Sequence, residues 1–207
     1  MSGGRAGAGA PFRYLIGIDP DPDLTPAQVR AFDEYYDAVH GPEVVAANAG
    51  FLSGHRLEAA GSASGGAPGA GQGPRWLAFY AIADLASARD YVHRQRVPGT
   101  GMNYTPGPVP WTRTTTTWRA ILTVAGGTGA GSAADVTIGP GAVLLTAAAP
   151  DPASAWPVTV FEVLEDLGAR DAVPATLTAV ARPVADLASP GQGAAWSRYY
   201  RRTGAQQ

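Results

Sequence analysis

The chain has 207 residues, of which 45% are hydrophobic, and it carries a net charge of −2 with a pI near 5.9. This composition supports a sizeable core, which excludes a wholly disordered chain, and the charge balance predicts neither nucleic acid nor an anionic membrane as a partner. The lack of cysteine excludes disulfides and cysteine-based metal sites, and all 15 basic residues are arginine, which excludes a lysine nucleophile.

Residues 1–12 are predicted to be a flexible, glycine-rich leader. Residues 1–10 lack the apolar stretch of a signal peptide. No window approaches the roughly 20 apolar residues that a membrane span requires. We therefore expect a cytoplasmic protein with no membrane partner. The glycine-rich, lysine-free composition is typical of an actinobacterial genome.

A strand over 13–19 precedes a helix that is expected to run from Thr25 to about His40. Thr25 is a typical N-cap and Pro26 fits the first helical position. Apolar residues recur at helical spacing at Val29, Phe32, Tyr36 and Val39. Gly41 and Pro42 are predicted to end this helix, since proline disfavours helix at the residue before it.

Further elements complete the first half of the chain. A second strand over 51–58 alternates, which predicts one face made by Phe51, Ser53, His55 and Leu57. Residues 59–74 are predicted to be a long mobile hairpin loop, 75–82 a strand, 84–92 a helix capped by Asp84, and 112–124 a strand. The order β-α-β-β-α-β is that of a ferredoxin-like α+β domain over 13–124.

The second half is interpreted as a linker over 125–141 followed by a degenerate second ferredoxin-like copy over 142–207. Residues 142–146 echo 15–18, and 160–173 align without gaps on 79–92, which predicts a strand that runs into a short helix. Residues 177–187 are predicted to form a strand, and 194–202 a strand or a short helix. Chance similarity in an alanine-rich chain is the alternative explanation of the repeat.

Three histidines can carry acid and base chemistry. His40 is predicted at a helix C-terminus, a position that favours the protonated ring, and its alternative role is to cap the last carbonyls. His55 lies in mid-strand and is either a cavity residue or a core histidine, whereas His93 is expected at a solvated helix end. Glu43 lies close to His40 in the sequence, but no further ligands accompany the pair, so no metal site is expected.

Aromatic residues are numerous in the first 124 residues. Rings with a polar tip suit a cavity that stacks a flat substrate and hydrogen-bonds its hydroxyl groups, although each ring alone is more typical of a core. The candidate substrate-binding residues are Tyr14, Tyr36, Trp76, Tyr80, Tyr104 and Trp118.

The run Tyr35-Tyr36-x-x-x-His40-Gly41-Pro42-Glu43-Val44, followed by Gly50-Phe51-Leu52, resembles the dimeric α+β barrel superfamily. The resemblance is closest to its EthD-like branch, in which a helix of this kind ends in His-x-Pro, and it covers residues 13 to about 124. It implies two sheets that face each other in a barrel, formed between the subunits of a homodimer or within one fused monomer.

The resemblance also implies a function. Many members act on aromatic or polyketide-like compounds, and some bind haem. We expect a cofactor-independent enzyme of bacterial secondary metabolism, such as antibiotic biosynthesis, that cyclises, isomerises or dehydrates such an intermediate through His40, with His55 and a tyrosine assisting. The alternatives are a cofactor-free monooxygenase, a haem enzyme with a histidine as axial ligand, and a non-catalytic binding or stabilising protein.

Overall fold

The computed structural model describes residues 10–59, 73–97, 102–128, 142–147, 158–182 and 197–203. The helices are α1 (Pro26–Tyr35), α2 (Gly41–Ala47) and α3 (Leu85–Arg96), with a π-helical turn over Tyr36–His40 and a 3₁₀ turn over Trp111–Arg113. The strands are β1 (Phe12–Pro20), β2 (Phe51–Ala59), β3 (Trp76–Ile82), β4 (Thr114–Thr128), β5 (Ala142–Thr146), β6 (Val158–Asp166), β7 (Thr176–Arg182) and β8 (Ser197–Thr203).

The eight strands form a closed antiparallel barrel in the order β1-β3-β2-β8-β5-β7-β6-β4, and β4 pairs back to β1. The first half contributes the run β4-β1-β3-β2, and the second half contributes β8-β5-β7-β6. The two halves thus have the same strand order. They are joined at both ends, where β2 pairs with β8 and β4 pairs with β6. One chain closes the whole circle, which leaves no free sheet edge among these strands.

The proposed internal alignment is wrong in its register. It matched β6 to β3. However, β6 follows β5 in the chain and lies at the end of its half that is farthest from β8, and β2 occupies the equivalent place in the first half. Strand β6 therefore corresponds to β2. The predicted helix after β6 is absent: residues 167–175 form a loop in which Gly168 has a φ of 71°. The end of the chain predicted as a strand or a short helix, residues 194–202, overlaps β8, which is a strand.

The sheet of the first half is buried on both faces. Leu15, Leu77 and Leu122 point into the barrel, while Tyr14, Tyr80 and Ile121 point outwards under the helices. This explains why β1 and β3 are apolar at successive positions instead of alternating. The outer face, between the sheet and the helices, carries the site described below.

The first helix does not end at His40, contrary to the prediction. Thr25 and Gln28 form the expected capping box at its start, but the chain continues through the π turn into α2. Proline lacks an N–H group and its ring crowds the carbonyl four residues before it, which here is that of Ala38. The π turn widens the backbone at this point, so that Gly41 donates its N–H to the carbonyl of Tyr36 and Pro42 begins α2 without a break.

Strand β2 also departs from the predicted alternation. A register shift between Phe51 and Ser53 places Phe51 under the helices, whereas His55 and Leu57 pair with Phe79 and Leu77 on the barrel side. The irregularity adds one residue to β2, so the side chains before it point to the opposite side of the sheet from the one that the alternation predicts. The capped helix after β3 is confirmed and extends to Arg96.

Some predictions fall outside the described part of the chain. They include most of the leader, most of the loop at 59–74 and most of the linker, although β4 extends into the predicted linker as far as Thr128. Among the described residues, no helix combines the length and apolar character that a membrane span requires.

Candidate functional site

A cavity of about 370 Å³ lies between the outer face of the sheet and the helices. Its volume falls in the range of roughly 300–1,000 Å³ that is typical of small-molecule sites. The strands contribute Ile16, Ile18, Tyr80, Thr114, Thr116 and Arg119. The helices and the segment before β4 contribute Tyr36, His40, Tyr91, Gln95, Met102, Tyr104 and Trp111.

The π turn places two functional side chains on the cavity. Phe32, Tyr36, His40 and Val44 recur every four residues and are all buried. An α-helix would rotate this four-residue series steadily away from the sheet, whereas the wider π turn holds Tyr36 and His40 on the same side. Such turns occur often at functional sites.

His40 is enclosed by aromatic rings. Its ring centroid lies 4.9 Å from Tyr36, 5.0 Å from Tyr104, 4.9 Å from Trp111 and 5.9 Å from Tyr35. The residue is only 8% exposed, and its Nδ1 atom is buried without a hydrogen-bond partner among the described residues. Protonation would therefore create a buried cation with an unsatisfied N–H group, which is unfavourable.

The charge state of His40 differs from the expectation. Burial lowers its pKa from 6.5 to about 4, and the nearby Glu43 carboxylate opposes this shift only in part. The free carbonyl groups at a helix C-terminus would have favoured the protonated ring. The helical segment continues past His40 into α2, so no helix C-terminus lies at His40. The ring is neutral near neutral pH and is a proton acceptor in that state.

Tyrosine hydroxyls line the cavity beside His40. The Tyr36 and Tyr80 hydroxyl oxygens lie 3.2 Å apart in the buried region. Burial raises the pKa of both phenols, and it also raises the pKa of Tyr91 and Tyr104. These four side chains are therefore neutral at physiological pH, and their hydroxyl groups can donate hydrogen bonds to an oxygen of a ligand.

Arg56 holds Tyr36 in place from outside the cavity. Its guanidinium lies 5.1 Å from the Tyr36 ring centroid and 4.9 Å from that of Trp76. The same group pairs with Asp33 of α1 and with Asp37 of the π turn. This half-buried cluster links β2 to the helical segment and fixes the orientation of the ring that contacts His40.

Asn48 fixes the opposite wall and was not identified from the sequence. It is buried at the end of α2, where its amide nitrogen donates to the Val44 carbonyl and, at 3.1 Å, to the Tyr104 hydroxyl. Arg94 donates to its amide oxygen at 2.9 Å. Asn48 thereby joins α2, α3 and the segment that carries Tyr104. An asparagine after a helix ordinarily indicates a C-cap, so its sequence context predicts only the local role.

The structure brings together four of the predicted site residues: His40, Tyr36, Tyr80 and Tyr104. Tyr14 is buried next to them and donates to Gln95 at 3.4 Å. Trp76 stacks on Phe32 at 5.0 Å within the same layer, but it does not line the cavity.

His55 and Trp118 lie on the other face of the sheet. His55 pairs with Phe79, and Trp118 packs in the barrel interior with it. The predicted cooperation of His55 with His40 is not reflected in this arrangement, because the sheet separates them. The β2 register shift and the bulge between β1 and β4 decide these faces, and neither can be read from an alternating pattern.

Several residues of the cavity lining were missing from the predicted set, among them Tyr91, Gln95, Trp111 and Arg119. Tyr91 and Gln95 are four residues apart on α3, so they share a helix face, which was a usable signal. Trp111 lies at the cavity with its ring 44% exposed. Arg119 lies among threonines and apolar residues of β4, and an arginine within such a strand was the signal for it.

Glu43 is hydrogen-bonded to Thr105. Its carboxylate accepts hydrogen bonds from the Thr105 backbone N–H, at 3.0 Å, and from the Thr105 hydroxyl. Within the described ranges, no group of three or more histidine or acidic side chains is arranged to hold a metal ion.

The depressed pKa of His40 predicts a pH-dependent stability. Between the folded pKa of about 4 and the unfolded pKa of 6.5, the unfolded chain binds more protons at His40 than the folded chain does. The stability that the neutral ring contributes is therefore fully present above pH 6.5 and is lost as the pH falls toward 4. The contribution is on the order of 3 kcal/mol. Urea unfolding of wild type and His40→Gln at pH values near 7 and near 4 measures it, because glutamine does not titrate.

The difference between the two proteins is the relevant quantity, since carboxylates titrate in both. Wild type should lose more stability on acidification than His40→Gln, and the exposed His93→Gln should behave as wild type does. Equal losses in wild type and His40→Gln would contradict the burial of a neutral ring.

The chain matches no model of a known protein family, and it matches neither a curated protein nor a solved structure.

Proposed function

We propose that the protein is a cofactor-independent enzyme that moves protons on an aromatic or polyketide-like intermediate, with cyclisation, isomerisation or dehydration as the outcome. The observation that carries this proposal is a neutral histidine, His40, that lines a cavity together with four neutral tyrosines. Acid and base catalysis needs a proton acceptor next to groups that stabilise the charge that forms on the substrate.

The aromatic walls favour a flat substrate. Trp111, Tyr36 and Tyr104 present their rings around His40 at 4.9 to 5.0 Å. Such rings offer stacking and edge contacts, each worth about 0.5–1.5 kcal/mol beyond the area that is buried. The tyrosine hydroxyls supply hydrogen bonds to carbonyl or phenol oxygens on the same ligand.

The chemistry follows from the neutral imidazole. With Nδ1 buried, Nε2 is the nitrogen that exchanges the proton. It takes a proton from a carbon next to a substrate carbonyl, and the electron pair of that C–H bond moves onto the carbonyl oxygen to give an enolate. Return of the proton at another atom gives an isomer, whereas attack of the enolate carbon on a second carbonyl forms a ring and the proton then goes to the new alkoxide.

The low pKa of His40 suits the resting site. An enolate beside the ring attracts the imidazolium and raises its pKa, since a neighbouring opposite charge favours the charged form. The tyrosine hydroxyls stabilise the same enolate oxygen. The proton is therefore held only while the substrate carries the compensating charge.

The resemblance to the EthD-like branch of the dimeric α+β barrels supports this proposal. In this view each half of the barrel is a ferredoxin-like unit, and the second half is a degenerate copy of the first. The shared strand order of the two halves supports the duplication, and the residues from Tyr36 to Pro42 support the family. The active site then belongs to the first half alone.

Deuterium exchange tests the proposed chemistry without knowledge of the natural substrate. The protein is incubated in heavy water with 1-tetralone or 2-acetylnaphthalene, and mass spectrometry measures the label at the carbon next to the carbonyl. We expect exchange faster than in buffer. A probe that binds without faster exchange contradicts the proposal and indicates a binding protein, while oxygen consumption with an electron-rich phenol would indicate the monooxygenase.

A further inference from the structure

Arg119 is a charged side chain of the cavity that the proton transfer described above does not use. It lies on β4 opposite Ile16 of β1 and lines the cavity between the sheet and the helices. Its Nε atom is buried and has no hydrogen-bond partner, and no ion pair joins Arg119 to a carboxylate within the described ranges. A buried N–H group without a partner is unfavourable, so an arginine whose Nε lies in such a place ordinarily has an acceptor beside it.

The described residues that line the cavity include no carboxylate to balance this charge. None of its residues is an aspartate or a glutamate. Its titratable groups are the neutral His40 and tyrosines whose pKa values are raised by burial. Glu43, three residues after His40 in the sequence, is hydrogen-bonded to Thr105 instead. Among the described lining residues, the Arg119 charge is therefore not balanced by a carboxylate.

Arg119 also acts on the phenols around it. Its charge opposes the rise in the pKa of Tyr14 and of Tyr91, although burial dominates in both. The guanidinium is thus close enough to influence groups on both the strand side and the helix side of the cavity. An anionic oxygen placed between these walls would receive hydrogen bonds from Arg119 and from a phenol together.

We propose that the ligand of this cavity is a planar aromatic compound that carries a conjugated oxyanion, and that Arg119 binds this oxyanion while the rings around His40 hold the aromatic part. The oxyanion is either a carboxylate or an ionised enol or phenol. This inference rests on the proposed function only in taking the cavity as the substrate site. It names the substrate class and assigns Arg119 as the residue that selects it.

Arginine suits both forms of the anion. Its planar N–H groups match the two oxygens of a carboxylate, and they also donate to the single oxygen of an enolate. In the second case Arg119 stabilises the charge that His40 creates when it removes a proton. The contact then contributes to binding and to the transition state at the same time.

Calorimetric titration of the full-length protein tests the inference. The probes are 2-naphthoate for the carboxylate and ionised 4-nitro-1-naphthol for the phenolate, each compared with a neutral partner, 2-naphthamide or the methyl ether. We expect wild type to bind at least one anion about 10-fold or more tightly than its neutral partner, as a charge-assisted hydrogen bond predicts. The pair that shows the preference identifies the form of the oxyanion.

Variants assign the preference to one residue. Arg119→Gln should abolish it, and Arg119→Lys should retain part of it, because lysine keeps the charge but not the fork. Arg89→Gln is the matched control, since Arg89 is an exposed arginine on α3 that pairs with Glu165. It removes the same charge from the chain and should leave the preference unchanged.

Three results would overturn the inference: wild type binds anion and neutral partner equally, wild type binds neither anion, or Arg119→Gln keeps the full preference. The first two results are measured on wild type alone, so the inference can be tested even if Arg119→Gln does not fold. His40→Gln should still prefer the anion. If exchange of 1-tetralone fails while the anion preference depends on Arg119, the proposed chemistry is wrong and the ligand assignment stands.

Discussion

His40→Gln is expected to lower the rate of deuterium exchange by about 10²-fold or more, which is the lower end of what a positioned acid or base contributes. Glutamine keeps hydrogen-bonding groups near the cavity but cannot accept a proton from carbon. The melting temperature at neutral pH should change little, because the wild-type ring is neutral there and makes no hydrogen bond through Nδ1. Rates and thermal unfolding are measured on the same samples.

His93→Gln is the matched control for this substitution. It replaces an exposed histidine on α3 with the same residue, so any effect of the chemical change itself appears there as well. Normal exchange by His93→Gln together with a large loss in His40→Gln assigns the proton transfer. Near-normal exchange by His40→Gln would make the π-turn histidine structural, and the search would move to Tyr80 and Tyr104.

His55 provides a further comparison. It lies on the barrel side of β2, so His55→Gln should leave the exchange rate close to that of wild type and should act mainly on stability. A loss as large as that of His40→Gln would mean that the two faces of the sheet contribute to one reaction, as the sequence suggested.

Removal of the second half of the barrel should prevent the first half from remaining a folded monomer. A fragment of residues 1–128 keeps β1 to β4 and all of the described helices, but it exposes the inner face made by Leu15, Leu77, Phe79 and Leu122. Contiguous apolar surface of this kind drives association. We expect the fragment to aggregate or to form a new dimer, as observed by size-exclusion chromatography with light scattering.

A point variant in the full chain tests the apolar contact inside the barrel without deleting any strand. Leu177 on β7 is fully buried in the barrel interior, so Leu177→Asp should weaken the contact between the halves without removing any strand. It should lower the melting temperature sharply, whereas Leu164→Asp, at an exposed position on β6, should not. A fragment of 1–128 that is monomeric and unfolds cooperatively would show that the second half is dispensable.

The sequence by itself predicted most elements of the first half. Thr25, Gln28 and Asp84 act through neighbours within a few residues, so capping could be read locally. The strands 12–20 and 76–82 were visible as apolar runs. The strand at 142–146 was predicted in the same way, and its place in the second half of the barrel agrees with the expected similarity of the halves.

The tertiary structure alone decided where the chemistry lies. The π turn depends on whether α2 can pack after Pro42, and the bulges in β2 and β4 depend on how their partners pair, so no local pattern shows them. These irregularities place His40 in the cavity, where burial lowers its pKa, and place His55 on the barrel side of β2. Arg119 lies on the cavity side of β4. Burial sets the charge of each group, and burial is a property of the whole fold.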